Sequence, residues 1–293
     1  MYTVLVDYIL IHYGFQGEAH TPTLTLQAEG AGEFTHLPAH MINGTVRLAT
    51  DTRRCTGWHD LATAKSSPCP HGTVTDGSYE QCRNCMQKTG FNPAFYNASS
   101  VSPQQQARNR QPHILYLAHF APGVVKVGIS WAERGIRRLL EQGARSAVII
   151  DTFPTADAAR VCEAAIAAQP DFHETLQIRH KIKYLGEPYS KESAANELTA
   201  ATTRVCDILN RQVVLNILHL DPYYTTVPVH QPIDVTKQQQ ISGRCVGMIG
   251  GLLLCEQDAQ LFLLSLSGFK GNRLTISDQI AKNQHDPIQV SLF

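Results

Sequence analysis

The sequence has no surplus of charge: 25 lysines and arginines stand against 25 aspartates and glutamates. Global electrostatics therefore names no partner, and the strongly basic balance of most nucleic-acid-binding domains is missing. Also missing is any apolar run of membrane-spanning length, which takes about 20 residues. The opening stretch MYTVLVDYILIHYGF has no basic residue ahead of its apolar part and is interrupted by Asp7. It reads as a strand and not as a secretory signal. No internal repeat is visible. The expectation is a cytoplasmic protein with no membrane partner, whose eight cysteines are not in disulfides.

What is present is enough apolar material for real cores, 43% of 293 residues, over a length that suits two or three domains. The pattern is α+β. Residues 1–50 alternate apolar and polar positions, as in TPTLTLQAEG, and predict short antiparallel strands. Residues 51–92 are poor in apolar runs and hold four cysteines, and 93–112, rich in Pro, Ser, Asn and Gln, reads as a linker. Residues 113–213 form a dense core pattern. Residues 214–279 suggest a small antiparallel β region with Gly247, Gly250, Gly251 and Gly268 at turns or bulges, a candidate to pack on the N-terminal strands. The tail 280–293 reads as loosely held.

Cys55, Cys69, Cys82 and Cys85 fall within 31 residues, the last pair as C-x-x-C. Such a turn points two sulfurs at one ion while two more ligands arrive from another loop, which suits a tetrahedral structural zinc. A segment with so little apolar content needs another source of folding energy, and metal binding supplies it. The spacing from 55 to 69 is wider than a zinc ribbon's, so His59 and His71 are substitute ligands, and a redox C-x-x-C is the competing reading. Cys162, Cys206, Cys245 and Cys255 lie in apolar segments and read as buried small hydrophobes.

In the core, HILYLAHFAPGVVKVGISW predicts strands over 113–119 and 124–130 round Ala121-Pro122-Gly123. Side chains of equal parity share a strand face, which puts Tyr116 on one strand with Lys126 and Gly128 on the other. A helix over 131–143 lines up Arg134, Arg137, Arg138 and Glu141 opposite Ile136, Leu139 and Leu140. A third strand, SAVIIDTF, is followed by a helix that Thr155 caps, with Val161, Ala165 and Ile166 facing inward and Glu163 off the apolar centre. A further helix starts at Ser190. Residues 101–193 carry 12 basic against 9 acidic side chains, a local surplus beside this polar set.

This order and polar set resemble the GIY-YIG nuclease superfamily. The resemblance implies a three-stranded antiparallel sheet flanked by helices, with Ile114-Leu115-Tyr116 and Lys126-Val127-Gly128 at the two namesake tripeptides. By the same resemblance, Arg138 stands at the helix arginine, with Arg134 and Arg137 as alternates, and Glu163 at the metal-binding glutamate. The longer pattern YLAHFAPGVVKVGI…R…RLLEQGA, after a four-cysteine segment and before a Gly-rich β region, resembles a bacterial domain-of-unknown-function family. Ile114, Lys126 and Gln142 stand where the nucleases carry glycine, tyrosine and often histidine.

The implied function is metal-dependent hydrolysis of nucleic acid, DNA in preference to RNA. Glu163 would hold Mg²⁺ or Mn²⁺, Arg138 would stabilise the phosphoryl charge, and Tyr116 would orient or deprotonate the nucleophile. Lys126 would act as a point charge, with Gly128 leaving room for a phosphate or a side chain to approach. The alternatives are a nucleic-acid- or nucleotide-binding protein with a degenerate core, and an adaptor whose ends bind another protein. Singly, Tyr116 reads as a sheet aromatic, the arginines as a solvated helix face and Glu163 as a partner for Arg160.

Overall fold

The structure, a computed structural model, describes residues 5–91, 101–224, 228 and 230–284. From the N-terminus it sets out β1 (Leu5–Gln16), β2 (Thr21–Ala28), β3 (Thr35–Pro38) and β4 (Asn43–Arg53). The cysteine segment holds β5 (Trp58–His59), β6 (Ser66–Ser67) and α1 (Arg83–Thr89), and α2 spans Pro103–Asn109. The central part runs β7 (His113–Ala121), β8 (Val124–Trp131), α3 (Gly135–Gln142), β9 (Ser146–Phe153), α4 (Ala156–Ala167), α5 (Ile178–Tyr184), α6 (Lys191–Leu209) and β10 (Ile217–His219). β11 (Ile233–Asp234), β12 (Gln240–Ile249), β13 (Leu252–Gln257), β14 (Gln260–Ser265) and β15 (Asn272–Ser277) complete it.

The two ends of the chain build one nine-stranded sheet, in the order β11-β14-β13-β12-β4-β15-β1-β2-β3. β4 lies between β12 and β15, so strands about 200 residues apart in sequence are direct neighbours. The C-terminal β region is therefore half of a large shared sheet and not a small separate one. Its last described turn is held: Asn283 is buried and exchanges hydrogen bonds of 2.8 Å with the backbone of Ser242. The remainder of the tail, 285–293, lies outside the described residues, as does 92–100.

The central sheet has the order β10-β9-β7-β8, four strands where three were expected. The extra strand is three residues long and pairs with β9. β7 alternates its side chains into two cores. Leu115 and Leu117 pack with α4 and α6, while Ile114, Tyr116, Ala118 and Phe120 join α3 and the large sheet. Helix α3 thus lies between the two sheets. The stretch read as a linker carries α2, which Ser102 caps by accepting the Gln105 N–H and which starts on Pro103. A capped start and a proline in the first turn outweigh its polar composition.

Of the three residues expected to face inward on α4, Ile166 does and Val161 and Ala165 do not. Ala156, Ala159, Glu163 and Ile166 are buried, whereas Val161 is 72% exposed and Ala165 is exposed. Small alanines let the helix sit close to β8, and the carboxylate rather than the valine enters the protein. Cys162 and Cys206 are half-buried, while Cys245 and Cys255 are buried opposite each other on β12 and β13. Among the described residues no helix is long and apolar enough to cross a membrane.

Candidate functional site

The hairpin register places Tyr116 opposite Gly128 and Ala118 opposite Lys126. Directly opposed residues share a face, so the phenol, the ammonium and the glycine lie together. Gly128 does not leave an open approach for a phosphate, because the Tyr116 ring fills that space. A Cβ on residue 128 would stand 2.5 Å from the Tyr116 hydroxyl and 2.6 Å from Cζ. The glycine is there to admit the tyrosine.

Tyr116 is buried, and its desolvation raises its pKa above the ordinary tyrosine value. Arg138 opposes that rise by its charge and by a side-chain hydrogen bond, and Glu163 is near enough to act in the other direction. Arg138 comes from the middle of α3, whose apolar residues Leu139 and Leu140 anchor it in the core. The Gln142 amide, oriented to satisfy both groups, turns its oxygen to Arg138 at 2.6 and 2.9 Å. Gly143 ends the helix in the left-handed region at φ 79°, and the Tyr224 hydroxyl donates to the Ala144 carbonyl at 2.7 Å. The segment Glu141-Gln142-Gly143-Ala144 is thus a helix terminus that also supplies acceptors to two arginines of the stripe.

Lys126 is 8% exposed. Its ammonium donates to the carbonyls of Val127, at 3.0 Å, and Glu174. Residues 173–174 reach it because His173 extends the β8 edge, accepting from Val127 N–H at 2.9 Å and donating to the Val125 carbonyl at 3.0 Å. Burial lowers the Lys126 pKa, Glu163 pulls it back up and Arg138 lowers it further. Glu163 therefore acts on both Tyr116 and Lys126 from α4, which packs along the β8 edge. Its Oε2 accepts from Arg160 at 2.5 Å, and Arg160 also pairs with Glu174 at 2.8 Å.

The sequence alternates are otherwise engaged. Arg134, in the turn before α3, pairs with Glu141, and Arg137 lies 4.0 Å from the same carboxylate. Arg145 pairs with Asp221 at 2.7 Å. In contrast, among the described residues no carboxylate forms an ion pair with Lys126, Arg138 or a third cation, Lys181. Lys181 was not legible as a site residue: IRHKIKY carries no motif, and α5 is only seven residues long. Its ammonium donates to the Gln142 carbonyl at 2.7 Å. Burial, then the charges of Arg138 and Lys126, pull its pKa from the ordinary 10.5 to about 8.

That depression sets a stability prediction. Between pH 8 and 10.5 the unfolded chain binds the Lys181 proton more tightly than the folded chain, so this residue's contribution to stability rises with pH there. Below about pH 8 it is a standing destabilisation. Lys181→Met should therefore raise stability at pH 7 by on the order of 1 kcal/mol, discounted for partial exposure. The gain over wild type should shrink by pH 10.5, as read by urea denaturation at both pH values.

The four expected cysteines come together as one group. Their sulfurs all lie within 4.8 Å of one another, and His59 and His71 are outside the group. A tetrahedral zinc with Zn–S near 2.3 Å requires sulfurs about 3.8 Å apart, so the cluster could hold a metal such as zinc. Cys82 occupies the N-terminal flanking position of α1 and Cys85 lies in its first turn. The Cys82 N–H donates to the Cys55 sulfur at 3.1 Å. Burial works against ionising Cys69, but N–H groups of Thr73 and His71, with the Thr73 hydroxyl and Cys55, bring it down to about 6. Burial and the neighbouring sulfurs push Cys85 up. Four thiols this close cannot all ionise unless a cation sits among them.

No curated protein and no solved structure matches the chain. A family model described as a protein of unknown function (DUF2797) matches residues 50–274. That span takes in the four cysteines, the central sheet with its hairpin and α3, and the C-terminal strands as far as β15. The chain belongs to the DUF2797 family.

Proposed function

We propose that the protein is a metal-dependent nuclease of the GIY-YIG-like type, cutting phosphodiester bonds in nucleic acid, DNA in preference to RNA, in the cytoplasm. The observation that carries this reading is the electrostatic contrast. Around the hairpin, Arg134, Arg137, Arg145 and Arg160 each have a carboxylate, while among the described residues none forms an ion pair with Lys126, Arg138 or Lys181. Lys126 is buried and Arg138 and Lys181 are half-buried, and cations drawn out of water with no carboxylate in contact carry a cost that an incoming anion removes. Beside them stand a hydroxyl and one carboxylate, the groups that phosphodiester hydrolysis uses.

Arg138 would hold the phosphoryl oxygens on which charge builds up. Lys126, fixed by two carbonyls, adds a point charge. Tyr116, with its pKa raised, stays protonated at neutral pH and orients the attacking water by a hydrogen bond. Glu163 would hold Mg²⁺ or Mn²⁺, ions content with one carboxylate plus water and substrate oxygens. The bound ion supplies charge neutralisation and a more acidic water. The four-sulfur cluster is assigned a structural zinc, since four thiolates leave no open position.

One observation favours a second reading, phosphate binding without cleavage: Glu163 is already engaged by Arg160. Arg138→Ala separates the two. A nuclease should lose on the order of a hundredfold or more in cleavage rate, measured on labelled single- and double-stranded DNA and RNA with Mg²⁺ or Mn²⁺. A binding protein would lose affinity alone and show no cleavage before or after the change.

A further inference from the structure

A cavity of about 250 Å³ opens where the end of α3, α5 and the β12–β13 turn of the large sheet meet. It is somewhat smaller than the roughly 300–1,000 Å³ pockets that hold drug-sized ligands, so it suits one base-sized ring and not a base pair. Its lining divides in two. Phe120, Tyr13, Tyr184 and Ile249 present aromatic and aliphatic surface, and Lys181, Gln142, Glu141 and Arg145 present polar groups, Glu141 being paired with Arg134 and Arg145 with Asp221. Gln142 belongs at once to this wall and to the site, since its side chain faces Arg138 and its carbonyl receives the Lys181 ammonium. The Lys181 ammonium also stands 5.4 Å from the centroid of the Phe120 ring.

Among the described residues Lys181 has no carboxylate ion-pair partner, and its neighbours Arg138 and Lys126 repel it. Its hydrogen bond to the Gln142 carbonyl at the C-terminus of α3 uses one of the three N–H donors of the ammonium. An anion arriving beside it would satisfy Lys181, and an attached flat ring would find the apolar wall. Nucleic acid offers both groups on one monomer, but only where the base is free of its partner strand.

We infer that this cavity is a subsite for one unpaired nucleotide of the substrate strand, with Lys181 facing a phosphate next to the one held by Arg138 and Lys126, and the base against the Phe120–Tyr184 wall. The inference rests on the proposed nuclease or phosphate-binding reading, and it narrows the substrate to single strands or duplexes with an extrahelical nucleotide.

The test uses the full chain and four DNA probes: a 12-mer single strand, its perfect duplex, the duplex with one bulged nucleotide, and the same bulge made abasic. Wild type should bind the single strand and the bulged duplex at least about tenfold more tightly than the perfect duplex, a ratio of the size expected from one charge-assisted contact plus one stacked base. The abasic bulge should lose much of that preference. Lys181→Met, and Leu176→Trp at the cavity lining, should both bring the ratio towards one while leaving thermal unfolding no lower than in wild type. Equal binding to all four probes, or variants that keep the full preference, would overturn the subsite and leave the phosphate-binding reading standing. Failure of wild type to bind any of the four would overturn both.

Discussion

Replacing Glu163 by glutamine is expected to abolish turnover while nucleic acid stays bound as tightly as before, or more tightly. The substitution keeps the shape and an acceptor for Arg160, which now donates to Oε2 at 2.5 Å. It removes the carboxylate that would hold the metal and the negative charge that faces Lys126 and Tyr116. With that charge gone, Lys126, Arg138 and Lys181 attract phosphate against less opposition, with Glu174 still acting on Lys126, so affinity rises. A pH signature follows. Glu163 now raises the Lys126 pKa, against the lowering by burial. In the glutamine variant Lys126 would lose its proton at a lower pH, and binding would weaken earlier on the alkaline side. Gel-based cleavage assays and fluorescence anisotropy, each run across pH, read both effects. Turnover that survives the change would remove Glu163 from the mechanism.

The second large effect is expected at the cysteine cluster. The segment from Cys55 to Gly90 has a core of Cys55, Cys69 and Cys85, with Trp58 and Cys82 packed against it. Apolar burial on that scale cannot hold a fold together. Structural zinc in small modules is worth on the order of 10 kcal/mol or more at neutral pH, so Cys82→Ser should unfold the module and not merely loosen it. Bound metal should fall from about one ion per chain to none, and proteases should cut within 55–90. The large sheet should survive, because its strands pair independently of the module, to which it is tied by such bonds as Arg54 N–H to the Gly271 carbonyl at 2.7 Å. Nucleic-acid affinity should also fall. His59 and Arg108 lie close enough to Arg134 to feel its charge, so the module borders the cationic face of α3. A metal-free wild-type chain with an intact module would contradict the zinc assignment.

Local pattern decided what could be read from the sequence. The hairpin was legible from parity, the α6 helix from the Ser190 cap and from Ala194, Leu198 and Val205, and the cysteine group from C-x-x-C. Each depends on residues near one another in the chain. The insertion of β4 between β12 and β15 does not: the C-terminal β region was a candidate to pack on the N-terminal strands, but no residue marks which strand pairs with which. β10 was missed because three residues make no pattern, and α2 because its polar composition hides a capped start. On α4 the error was one of face: Val161 is the larger apolar residue, yet close packing on β8 selects alanines and brings Glu163 inside. Lys181 was invisible for a different reason. Its meaning comes from Arg138, Lys126 and Gln142, on elements that only the fold brings beside it.

The central claim is that Tyr116, Lys126, Arg138 and Glu163 make a metal-dependent phosphodiesterase site. The most direct measurement is incubation of the purified wild-type chain with end-labelled single-stranded and bulged-duplex DNA in Mg²⁺ or Mn²⁺, with chelator and Glu163→Gln as parallel controls. The account predicts shortened products with either metal and none in the two controls. Bound but uncut DNA in every metal tested would contradict it.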